Sequence, residues 1–343
     1  MCRDIEIADL TESTEADFRR LYDERFVPSS NEDVVSVIMA NPMRAVKRET
    51  GRIAYRNGDV VAIQGVLPRR AYWRQKELLV ANVAVMAVRK DTDRGFLTDF
   101  LRDAVEGFGA DFVFGNSAIG GSRKRLIAAV GIKDGPQSCT RLREMDLRPG
   151  EPRIWRKLRG VRRRMGLIGK REFPALPSDA ELDLFWRTYL EGNCGLVSSR
   201  TARELHWVFD HGLKSGEVVP FALREAGHLV AHAFFRRTDR SGACWRVVDM
   251  IALGNDLSRL ERMLTEAADF LKVHAGAEYV QITGYPDGIQ PLLERLFPQA
   301  SSFGMNKCIW KCLNSSADSL CGNWMSDSGS WFGSPYDGDM CLM

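Results

Sequence analysis

Apolar residues along this chain recur with two periods, one typical of helices and one typical of strands. Phe18, Leu21 and Tyr22 lie at helical spacing and predict a helix over Thr14–Arg25. After Pro42 the pattern changes to runs rich in valine, alanine and isoleucine, which favour strands. These runs predict strands over Arg52–Tyr55, Asp59–Leu67 and Glu77–Val88, with a hairpin turn at Asn57-Gly58.

A helix, a strand and a second helix follow the third strand. Apolar residues on one face predict a helix over Asp93–Phe108. Asp111–Gly115 predicts a short buried strand. Ser122–Val130 predicts a further helix that ends at Gly131, because glycine readily takes the backbone conformation that closes a helix.

The second half of the chain repeats this order. Both halves begin with helical segments, continue with antiparallel strands and then run helix, strand, helix. The repetition predicts an α+β fold built twice, each copy a mixed, largely antiparallel sheet flanked by helices. The predicted elements are helices over 179–190 and 200–209, strands over 219–224, 228–237 and 244–252, the helix Asp256–His274, the strand Glu278–Thr283, the helix Ile289–Phe297 and the strand Met305–Cys312.

Composition narrows the class of protein. The chain has 343 residues, 45% of them hydrophobic and 27% charged, which suits roughly two globular domains. Its longest apolar runs, such as Leu78–Val88, have about half the length needed to span a bilayer. The eight cysteines form no CxxC pair, so we expect reduced thiols and no metal site. The N-terminus shows no secretory signal, and these features together predict a cytoplasmic protein.

The net charge of +3 is unevenly distributed. Nine basic residues against two glutamates give the segment Glu151–Glu172 a charge of +7, which leaves −4 for the rest of the chain. We call residues 153–171 the basic strap. Three interpretations of it stay open: an amphipathic helix on an anionic membrane at the inner face, a nucleic-acid contact, which lacks a recognised motif, and a solvated linker.

Prolines on both sides of the basic strap mark it as a boundary between domains. We predict an N-terminal domain over residues 1–147, a basic linker over 148–177, a C-terminal domain over 178–313 and a tail rich in serine, glycine and tryptophan over 314–343. Tail aromatics are costly to leave in water, so part of the tail is expected to dock on the body. Those aromatics are Trp324, Trp331, Phe332 and Tyr336.

The candidate binding site follows the strand Glu77–Val88, where a polar loop leads into Arg94-Gly95 and a helix. A glycine at a helix start lets a ligand approach the backbone closely. The free amides of the first turn and the helix dipole favour an anion such as phosphate, and Arg94 adds positive charge. A purely structural interpretation of this stretch remains open.

This arrangement resembles the acyl-CoA loop of the GNAT superfamily of N-acetyltransferases. The matching residues are Val85, Met86 and Val88 on the strand, then Arg94, Gly95, Phe96 and Leu97. The ending Val130-Gly131-Ile132 is also similar to the family's pattern, and Arg200–Asp210 is similar to a segment of tandem acyltransferase-like proteins. The resemblance covers about residues 45–312 and implies two tandem GNAT-like domains.

The resemblance also implies a cofactor site. Two central strands would splay apart, and backbone groups of Met86 to Val88 would bind the pantetheine arm of an acyl-CoA, with acetyl-CoA the expected donor. The backbone amides of Arg94, Gly95, Phe96, Leu97 and Thr98 would hold the pyrophosphate, and Asn116 would close the next strand. The crowded position at Leu97 or Thr98, and Ile127 where many members have a tyrosine, depart from the family's pattern.

The implied function is transfer of an acyl group, acetyl being the expected one, from CoA to the amine of a small molecule or of an envelope or polysaccharide precursor. The sequence identifies no catalytic residue; Glu77 is weighed as a base against a solvent-facing carboxylate. Two alternatives stay open: FemABX-like aminoacyl transfer from charged tRNA, and a non-catalytic binding module on a degenerate acyltransferase fold.

Overall fold

The computed structural model describes residues 5–26, 34–45, 50–90, 92–118, 126, 128–134, 142–152, 154–156, 158, 161, 173–193, 195–239, 242–283, 287–301, 306–314 and 336. Among them, no helix has the length and apolar character needed to cross a membrane. Cys244 and Cys312 are free thiols.

The first half of the chain supplies a strand, two helices, a three-stranded meander, a helix and further strands. Three strands of the meander and the following helix agree with the sequence prediction, although the second strand continues to Trp73. The elements are β1 (Ile5–Asp9), α1 (Glu15–Arg25), α2 (Val34–Met39), β2 (Gly51–Arg56), β3 (Asp59–Trp73), β4 (Lys76–Val88), α3 (Arg94–Glu106), β5 (Phe112–Ala118), β6 (Lys133–Asp134) and β7 (Leu142–Asp146).

The second half begins after the basic strap and follows the predicted order closely. Of the strap itself, residues 154–156, 158 and 161 are helical. The elements are α4 (Asp179–Gly192), β8 (Leu196–Ser198), α5 (Ala202–Ser215), β9 (Val218–Glu225), β10 (His228–Arg237), β11 (Cys244–Ala252), α6 (Leu257–Phe270), β12 (Tyr279–Thr283), α7 (Gln290–Leu296), β13 (Gln299–Ser301) and β14 (Asn306–Cys312).

The strands form two mixed sheets. The first has the order β1-β2-β3-β4-β5-β14-β6, with β8 paired to β3, and the second has the order β13-β7-β12-β11-β10-β9. Neighbours are antiparallel in both sheets except for β4 with β5 and β11 with β12, which are parallel. The predicted α+β fold, with mixed and largely antiparallel sheets built twice, is confirmed.

The two halves exchange strands. β7 precedes the basic strap but pairs with β12 and β13 in the second sheet. β14 lies near the end of the chain but pairs with β5 and β6 in the first sheet. The domain boundaries at 147 and 178 stay a prediction. β7, which precedes them, belongs to the second sheet, and β14, which follows them, belongs to the first sheet.

The two faces of the first sheet have different neighbours. Leu101 and Val105 of α3 pack on Val66, Ala81 and Val113. Side chains alternate along a strand, so the residues that follow Val66, Ala81 and Val113 point to the opposite face of the sheet. On that face a continuous apolar core joins α1, α2 and the second half of the chain, with Phe18, Leu67, Leu205, Phe209 and Tyr336 among its members.

Local signals account for several element boundaries. Asn57 and Gly58 both have positive φ, 53° and 83°, as the hairpin between β2 and β3 requires. Ser178 and Glu181 form a reciprocal capping box at the start of α4. Gly131 has a φ of 74°. Of the predicted helix Ser122–Val130, residues 126, 128 and 129 are helical, while 122–125 and Ile127 lie outside the described residues.

Candidate functional site

The central parallel strands of the first sheet separate part-way along their length. β4 pairs with β5 only from Val80 to Asn82, opposite Phe112 to Phe114. Beyond that point β4 stays on β3, with Met86 opposite Gln64 and Val88 opposite Ala62. β5 stays on β14 through to Ala118. The splayed strands that the resemblance implied are therefore present.

A β-bulge lies on β4 beside this opening. The register between β3 and β4 shifts between Gln64 and Val66, so that Ala84 and Val85 lie opposite the single residue Gly65. The Gln64 side chain is fully buried, and its Nε2 donates to the carbonyl oxygens of Gly65 (2.8 Å), Val85 (3.1 Å) and Ala84 (3.3 Å). Gln64 thus satisfies carbonyl groups that the bulge takes out of the ladder.

The start of α3 lies at the same end of the sheet. Asp93 caps the helix, with its Oδ1 accepting from the Phe96 amide at 3.0 Å, and its carbonyl accepts from the Leu97 amide at 3.2 Å. Of the amides expected to hold a pyrophosphate, those of Phe96 and Leu97 thus bond to Asp93. Helix geometry leaves the amides of Arg94 and Gly95 outside intrahelical bonding.

Gly95 is exposed and has open space above it. A Cβ placed there would come within 4 Å of only one atom, the Asp93 Oδ1 at 3.1 Å. Its backbone does not have positive φ. Neither conformation nor packing within the described residues requires a glycine at this position.

The other predicted site residues fall at the opening or beside it. Met86 and Val88 lie on the separated part of β4, and Asn116 lies on the separated part of β5, with its side chain outside the described residues. The Phe96 and Leu97 side chains pack against Ala62 and Phe100. Thr98 follows them on the helix, and the Arg94 side chain lies outside the described residues.

Glu77 lies far from the opening. It is the second residue of β4 and lies five residues before Asn82, where the pairing with β5 ends, which corresponds to roughly 17 Å along a strand. Its carboxylate accepts a hydrogen bond from Tyr72 at 3.0 Å, and burial together with that bond raises the pKa of Tyr72 to about 12. Glu77 therefore fits the solvent-facing alternative and not the role of a base at the opening.

The second sheet has a corresponding place, where the pairing of β11 with β12 ends before α6 begins, and we call it the second opening. β11 pairs with β12 only from Cys244 to Val247. Asp256 caps α6 by accepting from the amides of Ser258 (2.8 Å) and Arg259 (3.1 Å). The Arg259 guanidinium binds Glu225 at 2.8 Å. Asp256 thus caps two amides at the start of α6, whereas Asp93 caps one at the start of α3.

Among the described residues, no group of three or more histidine, cysteine or acidic side chains is close enough to hold a metal ion. The predicted docking of the tail is confirmed at Tyr336, which is fully buried. The other tail aromatics lie outside the described residues. Sequence reasoning did not single out Gln64 or Arg69, because polar residues inside long apolar runs give no periodic signal of their own.

Solved structures share this architecture over most of the chain. A GCN5-related N-acetyltransferase from Kribbella flavida is 15% identical, with a TM-score of 0.58 over 92% of this chain and 72% of that one. One from Anabaena variabilis is 14% identical, with a TM-score of 0.57 over 91% and 74%. The chain has the GNAT fold.

The same GNAT fold relates the chain to Saccharomyces cerevisiae N-myristoyltransferase, whose structure contains bound myristoyl-CoA. That likeness has 12% identity and a TM-score of 0.56 over 90% of this chain and 80% of that one. No protein-family model and no curated protein matches the sequence. At these identities the likeness establishes the fold, and the GNAT prediction is confirmed at that level.

Proposed function

We propose that this protein is an N-acyltransferase that takes an acyl group, acetyl by preference, from CoA and transfers it to the amine of a small molecule or of an envelope or polysaccharide precursor. The observation that carries the proposal is the opening after Asn82, which lies at the same end of the sheet as a helix start with an open Gly95. Neighbours of this fold include N-acetyltransferases and a protein with bound myristoyl-CoA.

The contrast between the two openings supports placing the donor in the first sheet. At the start of α3 one amide is capped by a side chain, whereas Asp256 caps two at the start of α6. The second opening also has its arginine paired with Glu225. A pyrophosphate would meet a capping carboxylate at both helix starts, but at α3 that carboxylate occupies one amide fewer than at α6. The second half therefore serves structure or acceptor binding.

The reaction proposed for this site is the aminolysis of a thioester. The amine nitrogen forms a bond to the thioester carbonyl carbon, the carbon–sulfur bond breaks, the nitrogen loses a proton and the CoA thiolate gains one. The exposed edge of β4 at Met86 to Val88 would pair with the pantetheine amides, and the amides of Arg94 and Gly95 would bind the pyrophosphate. Such positioning holds the thioester at the point where the strands part.

The first prediction tests the donor site through Gly95. We expect Gly95→Val to weaken acetyl-CoA binding at least tenfold, about 1.4 kcal/mol, because the side chain fills the space above the helix start. Valine is a slightly better helix former than glycine, so thermal stability should be kept. Isothermal titration of the full chain measures the affinity, and the melting temperature measures the fold.

Gly192→Val is the matched control. Gly192 is also exposed, ends α4 and has no atom within 4 Å of the place that a Cβ would take, but it lies away from the opening. This variant should bind acetyl-CoA as the wild type does. Equal affinity in the Gly95 variant would contradict the proposed site. Binding of charged tRNA without acetyl-CoA would favour aminoacyl transfer, and binding of neither would favour a non-catalytic module.

We also propose that the basic strap brings the protein to an anionic membrane surface. The Ile154, Trp155, Leu158 and Val161 side chains are exposed by 64%, 58%, 48% and 44%. Arg156 holds this helical segment on the second sheet through Asp146 at 2.9 Å and the ring of Tyr279. The apolar side chains therefore point to solvent, within a segment that carries nine basic residues.

A further inference from the structure

Arg69 of β3 is a buried cation for which the described part of the chain supplies no hydrogen-bond acceptor. Its residue is 3% exposed, and Nε, Nη1 and Nη2 are all buried and have no hydrogen-bond partner among the described residues. A guanidinium has five N–H donors fixed in one plane and stays charged. Burying such a charge without a partner is costly, so this position calls for an anion.

Two aromatic rings enclose the guanidinium. The carbon Cζ lies 5.0 Å from the ring centre of Trp207 and 4.4 Å from that of Tyr336. Trp207 is fixed by a 2.7 Å bond from its Nε1 to the Val37 carbonyl, and the Tyr336 hydroxyl donates to the Ser199 carbonyl at 2.9 Å. Ring faces stabilise a cation but accept no in-plane N–H groups, so the donors remain without an acceptor.

Two carboxylates of the same cluster bond to other groups. Asp249 makes a bidentate pair with the fully buried Arg200, at 2.8 and 3.0 Å. Glu204 accepts from the hydroxyls of Ser199 and Thr201. Neither bonds to Arg69, so the two carboxylates offset the charges of Arg69 and Arg200 without accepting hydrogen bonds from the Arg69 N–H groups.

The guanidinium lies beside the opening, on the face of the first sheet opposite α3. Arg69 pairs with Val80, and Leu67 pairs with Asn82, the last β4 residue bonded to β5. Side chains of Arg69 and Asn82 therefore share a face, as diagonal neighbours on adjacent strands. A donor held at the start of α3 and a second molecule held by Arg69 would meet where the strands part.

We propose that Arg69 binds a carboxylate carried by the amine acceptor, with the rings of Trp207 and Tyr336 enclosing the pair. The inference rests on the proposed acyl transfer. The guanidinium of Arg69 matches a planar, singly charged carboxylate, which it can bind through two parallel hydrogen bonds. A phosphate carries up to two charges, one more than the single guanidinium of Arg69.

The test compares acids with their amides. The probes are free amino acids and the corresponding amino-acid amides, added to the full chain in the presence of saturating acetyl-CoA. Melting temperature and release of CoA thiol are the two measurements. We expect some of the acids to raise the melting temperature and to be acylated with a kcat/KM at least tenfold above that of their amides.

Arg69→Met should remove this preference. Acids should lose at least tenfold in kcat/KM and no longer raise the melting temperature, while acetyl-CoA affinity stays as in the wild type. Because the variant removes an unpaired buried charge, its own melting temperature should be unchanged or higher. Arg70→Met is the matched control, since Arg70 points to the opposite face, is 44% exposed and pairs with Glu77.

Several outcomes would overturn the inference while leaving the proposed function intact. One is normal acetyl-CoA binding with no stabilisation by any acid. A second is an equal response to acids and amides, and a third is a collapse of stability in Arg69→Met, which would make Arg69 a structural contact of the two rings. O-Phosphoethanolamine is a separate arm, and stabilisation by it alone would assign the site to phosphate. Loss of acetyl-CoA binding in the wild type would instead refute the acyltransferase proposal.

Discussion

His232 on β10 is a histidine held neutral by its surroundings. It is 1% exposed, and neither ring nitrogen has a hydrogen-bond partner among the described residues. Its ring makes an edge contact with Phe185 at 4.9 Å between centres. Burial lowers the pKa of His232 from 6.5 to about 4, Asp249 opposing the shift and Arg200 adding to it. Protonation of this histidine therefore opposes folding.

We expect His232 to make the protein sensitive to acid. Its contribution to stability is complete above pH 6.5, because neither state is protonated there, and it falls as the pH drops toward 4, because only the unfolded state takes up the proton. The lost free energy of unfolding is on the order of 3 kcal/mol. His232→Leu should remove that part of the pH dependence in urea unfolding series between pH 7 and 4.

His206 provides a control with the opposite sign. Its pKa is raised, first by the hydrogen bond to Asp210 and then by that to Asp179. The stability it contributes is therefore present below its unfolded pKa and lost as pH rises through the folded value. Since its side chain is 35% exposed, the effect of His206→Gln should be small. Identical acid profiles for wild type and His232→Leu would show that another group causes the sensitivity.

At the scale of elements, β4 and α3 build the opening together. The bulge at Ala84 and Val85 lies just beyond the last pairing with β5, and the strand then leads through a short loop into the Asp93 cap. The bulge bends the strand and increases its twist locally. Gln64 keeps the bulge in place with its three carbonyl contacts.

Replacing this glutamine tests whether the bulge depends on it. We expect Gln64→Leu to lower the free energy of unfolding by about 1–3 kcal/mol, because buried carbonyls lose their donor. Acetyl-CoA affinity should fall as well, since the edge of β4 shifts. Urea unfolding and isothermal titration give the two values.

Gln281→Leu is the comparison for this prediction. Gln281 on β12 also donates through its Nε2, to Glu144 at 3.0 Å, but in a partly exposed place. Its loss should cost only a few tenths of a kcal/mol. If both variants unfold alike, the buried contacts of Gln64 do not hold the bulge.

At the scale of the whole molecule, the strand exchange binds the halves to each other. β7 and β14 each complete the sheet of the other half, and β8 pairs with β3. The core on the face opposite α3 is shared by both. The basic strap follows β7, so its position on the second sheet is set by an exchanged strand as well as by Arg156.

The strap prediction concerns vesicle binding. We expect the protein to co-sediment with phosphatidylglycerol vesicles at low salt and to be released as salt rises, because surface charges are screened over about 8 Å at physiological ionic strength. Each basic residue near such a surface contributes about 1 kcal/mol. The double variant Trp155→Ser, Leu158→Ser should bind severalfold more weakly.

Leu184→Ser with Val273→Ser is the control pair. Both side chains are comparably exposed, by 51% and 62%, and lie outside the strap. This pair should sediment as the wild type does. If the protein stays in the supernatant with anionic vesicles at low salt, the strap is a linker and does not bind the membrane.

The sequence by itself determined the elements whose signals are local. Period-2 and period-3.6 patterns are set within one strand or helix, which is why β4, α3, β10, β11 and β12 could be predicted closely. The helix start at Gly95 could also be predicted, since the strand, the loop and the helix are consecutive in the sequence. The strands β8 and β13 have three residues each, too few for a period to show.

Only the tertiary structure decided how these elements combine. The exchange of β7 and β14 depends on pairing between segments far apart in the chain, and an isolated strand pattern does not name its partner. The point where β4 leaves β5 depends on the same pairing. Arg69, which the sequence shows as one of two neighbouring arginines, is buried only because Trp207 and Tyr336 close over it from remote positions. The burial of Arg69 depends on the assembled sheets, and that burial is what makes its guanidinium a candidate anion-binding group.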